Sequence, residues 1–474
     1  METADTRDAS APDRNFRRSF GLLPATAVNM TQMCGIGPFI TIPVMVATMG
    51  GPQAVIGWIV GAVLAMADGL VWAELGAAMP GAGGTYVYLR EAFQYRSGKL
   101  MPFLFIWTVM LTIPLIMSTG IIGLVEYLGY FFPHMSWLEA HLIGVAATAL
   151  VIFLLYRRIE SIGSITTALW VIMLMSVTAV IAACFSDFDA SLAFTFPENA
   201  FGSRFFTGLG AGLIIGIYDY MGYYTTAYMG DELSDPGRVM PRSIIISIIG
   251  IMLIYLALNI GILGVLPWQQ VADSTSIASA AVEHAWGATA AGIVTVLIIV
   301  TAFASVFAGL LGGSRVPYQA AQDRLFFAPF GKLHARHHFP HVALLVMGLV
   351  TAVGTFFDLT MVISMLIAAS VIVQFAAQAV ALVVLRKRQP QLKRPYRQWL
   401  YPVPCIVAIA GWIYVYVSGT TLSLLLSGAW IVAGLIAFFI WARINGSWPF
   451  AKPEIRERYI GDTPSQQDPT PRPK

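Results

Sequence analysis

Apolar residues run through this chain in long stretches, separated by short polar connections, with no sustained two-residue alternation. A hydrocarbon core of about 30 Å is crossed by a helix of about 20 apolar residues, so each stretch predicts a membrane-spanning helix. Windows of about 19 residues place twelve of them, at about 22–49, 54–78, 100–131, 137–155, 160–185, 203–230, 240–266, 286–312, 341–357, 360–385, 402–421 and 424–443. Asp358 interrupts the run between the ninth and the tenth.

Charge tests the count independently, because Lys and Arg collect in cytoplasmic loops. With both termini cytoplasmic, 27 of the 28 basic residues fall on that side, in the clusters Arg7 to Arg18, Arg90 to Lys99, Arg157 and Arg158, Arg238 and Arg242, Arg315 to Arg336, Arg386 to Arg397, and Arg443 to Lys474. Only Arg204 lies on the other side, with Asp187, Asp189, Glu198, Asp273 and Glu283. Miscounting by one span would scramble this asymmetry. The expected organisation is a cytoplasmic tail over 1–21, a membrane domain over 22–443 and a cytoplasmic tail over 444–474, in the plasma or inner membrane.

Composition agrees. The chain is 57% hydrophobic and 11% charged, with a mean hydropathy of +0.72, whereas soluble domains carry about 25% charged residues. A net charge of +3 does not point to nucleic acid. Cys34, Cys184 and Cys405 lie far apart inside apolar runs, a pattern of buried thiols with neither a disulfide framework nor a metal-ligand spacing. The polar segment Met1 to Arg18 leads directly into a full-length span, unlike a cleavable signal peptide. Neither tail nor the 313–340 loop is long enough for a soluble domain, and the Pro- and Gln-rich end after Ile460 reads as disordered. Function is expected within the membrane.

Span 1 contains Met33-Cys34-Gly35-Ile36-Gly37-Pro38-Phe39. Pro38 lacks an N–H and clashes with the carbonyl of Cys34, so the helix is kinked or broken there. Broken backbone at membrane depth is tolerated only where it is buried in protein or lines a cavity. Span 6 carries a matching irregularity, Gly216-Ile217-Tyr218-Asp219-Tyr220-Met221-Gly222-Tyr223-Tyr224. Interruptions in the first and sixth spans imply two five-helix halves, about 22–185 and 203–385, with two extra helices over about 402–443. Inverted repeats of this kind hold a substrate at the bilayer midplane between the broken helices.

Asp219 is the sharpest single residue, because an ionisable group at mid-span costs a few kcal/mol and is retained for function by default. It would hold a substrate ammonium or carry a coupling proton; the alternative is a carboxyl satisfied by neighbouring tyrosines. Tyr218, Tyr220, Tyr223 and Tyr224 offer aromatic faces to a cation or simply pack. The glycine-rich run Pro80-Gly81-Ala82-Gly83-Gly84 follows a membrane helix and lacks the Lys-Ser/Thr of a phosphate loop. Gly208-Leu209-Gly210-Ala211-Gly212 reads as small-residue helix packing. The run from His334 to His341 reads as a solvated loop rather than a metal site, since Arg336 repels cations and no Cys or acid is near. No cofactor, metal or nucleophile–base pair is expected, and the chain is not read as an enzyme.

Together Ala73 to Phe93, the Gly35 and Gly37 pair, Gly230-Asp231-Glu232-Leu233-Ser234-Asp235-Pro236-Gly237-Arg238-Val239-Met240-Pro241-Arg242, and Ser314-Arg315 through Asp323-Arg324 resemble the amino acid-polyamine-organocation permeases, from about Phe20 to Pro340. The resemblance implies an all-α membrane protein of twelve transmembrane helices, with a leucine-transporter-like five-plus-five inverted repeat, two C-terminal helices, and helices 1 and 6 unwound mid-membrane. It implies that Met33, Cys34, Gly35, Ile36 and Gly37 meet the substrate's carboxylate and amino groups. Tyr218 would close over the substrate, and Asp219, Gly222 and Tyr224 would line its pocket. Glu74, Arg238 and Pro241, with Asp219, would serve gating or coupling. Pro38 stands where the family usually has an aliphatic residue, and Tyr224 where several arginine and diamine carriers have a carboxylate. No Lys or Arg lies between Arg158 and Arg204 to match the span-5 lysine of proton-coupled members, so Asp219 or Glu74 would carry the proton. The expected partners are the lipid bilayer, a small-molecule substrate and a coupling proton, with no nucleic acid. An amino acid is the first substrate class, a polyamine or other organic amine the second. A non-transporting amino acid sensor is the alternative of a different class.

Overall fold

A computed structural model describes residues 21–81, 84–156, 162–198, 200–230, 232–334 and 339–450, with backbone only for 162–169 and Arg204. The first half runs through α1 (Leu22–Met33), α2 (Gly37–Met49), α3 (Ala54–Ala78), α4 (Thr85–Ser97), α5 (Leu100–Leu128), α6 (Trp137–Leu155), α7 (Ile162–Ser186) and α8 (Ala190–Phe194). There follow α9 (Ser203–Tyr220), a 3-10 turn (Thr225–Tyr228), α10 (Pro236–Leu263), α11 (Trp268–Asp273), α12 (Ile277–Trp286), α13 (Ala288–Gly313) and α14 (Arg315–Gln322). The chain closes with α15 (His341–Gly354), α16 (Leu359–Ser370), a π-helical turn (Val371–Ala376), α17 (Ala377–Arg388), α18 (Val403–Val417) and α19 (Thr421–Ile444).

Each apolar stretch is helical. Among the described residues seven helices are long and apolar enough to cross a membrane, or eight with α1 and α2 taken as one bent span. Four shorter apolar helices, Trp170–Ser186, Phe205–Tyr220, α15 and α18, occupy the remaining stretches. Asp358 falls in the link between α15 and α16, as the residue preceding α16. Residues 1–20 and 451–474, Ala82, Gly83, Arg157, Arg158, Asp231 and the Ala335–His338 part of the histidine run lie outside the described residues. The helices α4, α8, α11, α12 and α14 were not expected. They are 5–13 residues long and sit in the connections, below the length that hydropathy windows register.

Local chemistry sets several ends. Ser136 and Glu139 form a capping box at the start of α6, the Glu139 carboxylate accepting from the Ser136 N–H at 2.7 Å and the Ser136 hydroxyl from the Glu139 N–H at 3.3 Å. Pro38 occupies the first turn of α2, where a missing N–H forfeits no helical bond.

In α5, 72% of the most apolar window is buried and in α3 67%, against 22% in α6 and α19, so α3 and α5 are central and α6 and α19 peripheral. α3 packs against α9, α10 and α18; α1 lies on α10 and α2 on α9; α5 packs against α13, α15 and α16. Gly208, Gly212 and Gly216 bring α9 onto α2: a Cβ on Gly208 would come 3.0 Å from the Thr48 carbonyl oxygen.

Candidate functional site

The centre of the molecule is where two helices stop. The last bond of α1 runs from the Cys34 N–H to the Met30 carbonyl at 2.9 Å, and bonding resumes from Phe39 N–H to Ile36 C=O at 3.0 Å. Cys34, Gly35 and Ile36 between them are non-helical, and the axes of α1 and α2 differ by 48°. Among the described residues the N–H groups of Gly35, Ile36 and Gly37 donate to no backbone carbonyl. Free N–H groups at a helix start act as about half a positive charge and attract anions. The side chains of Met33, Cys34 and Ile36 are buried.

α9 stops at Tyr220, and Met221 caps it by donating to Ile217 and Tyr218 carbonyls at 3.2 and 3.1 Å. Gly222 follows with φ +116°, and a Cβ there would lie 2.8 Å from Gln32 Cβ, 2.9 Å from Gln32 C and 3.0 Å from Met33 N. Glycine is required both by that φ and by the closeness of α1. Tyr255 of α10 ties the two breaks together, its hydroxyl lying 2.6 Å from the Met33 carbonyl oxygen and 3.0 Å from that of Asp219.

Asp219 is 2% exposed. The Thr41 hydroxyl of α2 donates to its Oδ2, and its Oδ1 has no hydrogen-bond partner. That oxygen lies against Gly37, where any Cβ would collide with it. Its tyrosine neighbours bond elsewhere: Tyr220 donates to the Trp58 carbonyl at 3.1 Å, Tyr223 to Asp68 at 2.6 Å, and Tyr218 pairs with Thr119 of α5 at 2.6 Å. A Cβ on Gly35 would sit 3.5 Å from Ser305 Oγ of α13. Around the breaks the structure therefore gathers Asp219 with Gly37 and Thr41, Gly222 with Met33, Gly35 with Ser305, and Tyr218 with Thr119. Tyr224 stacks on Trp72 at 4.5 Å and meets Phe375 edge-on at 5.9 Å, two residues beyond Gly222.

The other expected gate residues do not join Asp219. Glu74, fully buried in α3, accepts from Arg386 Nε at 2.7 Å, Arg386 Nη2 at 2.5 Å and the Gln398 N–H at 2.8 Å, with Arg394 Nε at 3.5 Å. The Tyr401 ring lies 3.8 Å from the Arg386 guanidinium carbon. Burial and the Glu74 carboxylate push the nearby Tyr396 phenol up to about 12. Arg238 is 78% exposed and pairs with Asp235 at 3.8 Å, and Pro241 is buried near the start of α10.

Asp68 and Tyr255, like Thr41, Thr119 and Ser305, escaped sequence reasoning. Asp68, buried in α3, meets the rule that singled out Asp219, an ionisable group inside an apolar run. Tyr255 carries no such signal, since a tyrosine within an apolar helix usually marks packing.

The model of the family described as amino acid permease matches residues 20–446. The branched-chain amino acid permease BcaP of Bacillus subtilis is 24% identical over 465 residues, covering 92% of this chain and 95% of its own length. The serine/threonine exchanger SteT of Bacillus subtilis is 25% identical over 434 residues, covering 89% and 96%. The methylthioribose transporter of the same organism is 24% identical over 464 residues, covering 93% and 96%.

Proposed function

The chain belongs to the amino acid permease family, and we propose that it moves an amino acid across the cytoplasmic membrane by alternating access. It would be a secondary carrier of twelve spans with cytoplasmic ends. Two inverted five-helix repeats, about 22–185 and 203–385, would hold the substrate where spans 1 and 6 unwind. Similarity to an amino acid permease and an amino acid exchanger supports the substrate class.

The observation that carries the reading is the pairing of unlike charge preferences at one place. Asp219 Oδ1 is buried without a partner, and such a group costs about 1–3 kcal/mol or more until a donor reaches it. A substrate ammonium is that donor. Beside it, the free N–H groups of Gly35, Ile36 and Gly37 suit a carboxylate. An α-amino acid presents both groups on one carbon. Coupling is then by a proton on Asp219 or by exchange of a second amino acid. A second reading, an organic amine without a carboxylate, is favoured by the contact of Asp219 with Gly37, because the protein's own carboxylate already lies near the start of α2.

The test is a thermal-shift screen with leucine, serine, arginine and putrescine. A ligand at a hundredfold excess over its Kd stabilises the folded protein by about 2.7 kcal/mol. Leucine, serine or arginine should raise the melting temperature of the wild type and leave Asp219→Asn unmoved. Equal shifts in both proteins would remove Asp219 from the site, and a shift with putrescine alone would favour the amine reading.

A further inference from the structure

Asp68 is fully buried in α3, and three groups donate to it: Trp72 Nε1 at 2.9 Å and the Tyr223 hydroxyl at 2.6 Å to Oδ2, and Trp412 Nε1 at 3.1 Å to Oδ1. Indole N–H groups only donate, so an accepting carboxylate is what satisfies both tryptophans. The donors come from different parts of the chain. Trp72 is one turn further along α3, Tyr223 directly follows Gly222 in the second break, and Trp412 lies in α18, beyond both repeats.

The rings of these residues close a circuit. Trp412 stacks on Phe375 at 4.1 Å and 8°, Phe375 meets Tyr224 at 5.9 Å, and Tyr224 stacks on Trp72 at 4.5 Å and 15°, which leads back to Asp68. Phe375 belongs to the π-helical turn Val371–Ala376, a helix form that concentrates at functional sites. Apolar residues of similar volume would pack the same space without the cost of burying a charge, and charged groups inside membranes persist mainly where function needs them.

Resting on the transport reading above, we propose that Asp68 is a positioning residue for transport. It fixes the segment after Gly222 against α3 and ties it to α18. Tyr223 and Tyr224 move only as this cluster moves, and α18 is thereby a working part of the binding site.

The experiment uses full-length protein in liposomes, with tritiated leucine, tritiated serine and radiolabelled putrescine as probes, and rates are normalised to folded protein. Trp412→Phe keeps the ring stack and removes one donor; Asp68→Asn turns an amide NH2 toward a donor. Loss of a hydrogen bond to a charged group predicts a KM about tenfold higher in Trp412→Phe. Asp68→Asn should lose at least as much, and the double variant should be no worse than Asp68→Asn, because residues acting as one unit are not additive. Should Asp68→Asn fail to fold, Tyr223→Phe takes its place with the same expected rise in KM. A merely structural carboxylate would lower the melting temperature of Trp412→Phe and leave its KM unchanged, and that result overturns the proposal, as do additive losses. Transport of no probe by the wild type defeats the transport reading and this inference with it, whereas wild-type transport with unchanged KM in the variants defeats this inference alone.

Discussion

Replacing Gly222 with alanine probes the contact between the two breaks. At φ +116° an L-residue is strained, at about 1–3 kcal/mol. The added Cβ would also lie 2.8 Å from Gln32 Cβ, 2.9 Å from Gln32 C and 3.0 Å from Met33 N, and two of those atoms are backbone. They cannot yield without shifting Met33, whose carbonyl the Tyr255 hydroxyl holds at 2.6 Å. Overpacking of this kind costs about 1–3 kcal/mol, which brings the expected loss to about 2–6 kcal/mol. Gly312, near the end of α13, is the control: nothing lies within 4 Å of a Cβ there, and alanine in a helix is favoured over glycine by up to about 1 kcal/mol. Heating each purified protein in detergent and following monodisperse protein by size exclusion reads the difference. Gly222→Ala should melt well below the wild type, and Gly312→Ala at or above it. Equal melting of Gly222→Ala and wild type would refute the close approach of the two breaks.

Tyr255→Phe leaves the Met33 and Asp219 carbonyls without their shared hydroxyl. It should weaken substrate binding about tenfold by titration calorimetry, from about 1–3 kcal/mol per unsatisfied buried group, and wild-type affinity would show that the hydroxyl does not set the geometry of the breaks. Glu74→Gln removes the counter-charge that faces Arg386 and Arg394. It should destabilise by about 3–5 kcal/mol, because it leaves buried cationic side chains without their counter-charge; thermal melts of the variant and the wild type decide it, and equal melting contradicts the pairing.

The long apolar helices were legible because hydrocarbon thickness fixes how long an apolar helix must be to cross it, and α3 and α6 begin and end at the expected residues. The first break was legible in Pro38, which cannot donate, and Gly222 flagged the second. What the sequence hides is which atoms fill the space between them. Nothing local says that Gly222 abuts Gln32, or that Tyr255 reaches both carbonyls from α10. Glu74 was noticed through family likeness, but its partner Arg386 lies 312 residues away and its other partners sit in the connection to α18. Asp68 was readable by the rule applied to Asp219, and its donors from the second break and α18 were not, because a tryptophan inside an apolar run gives no sign of where its N–H points.

Counterflow in liposomes shows whether the protein carries an amino acid across the bilayer and whether Asp219 takes part. Wild-type protein is reconstituted with unlabelled leucine or serine trapped inside, and the same amino acid, tritiated, is supplied outside at low concentration. The account predicts transient accumulation of label above the equilibrium level with the wild type, and none with Asp219→Asn at equal folded protein. Label that never exceeds equilibrium with any amino acid, or accumulation as large in Asp219→Asn, would contradict it.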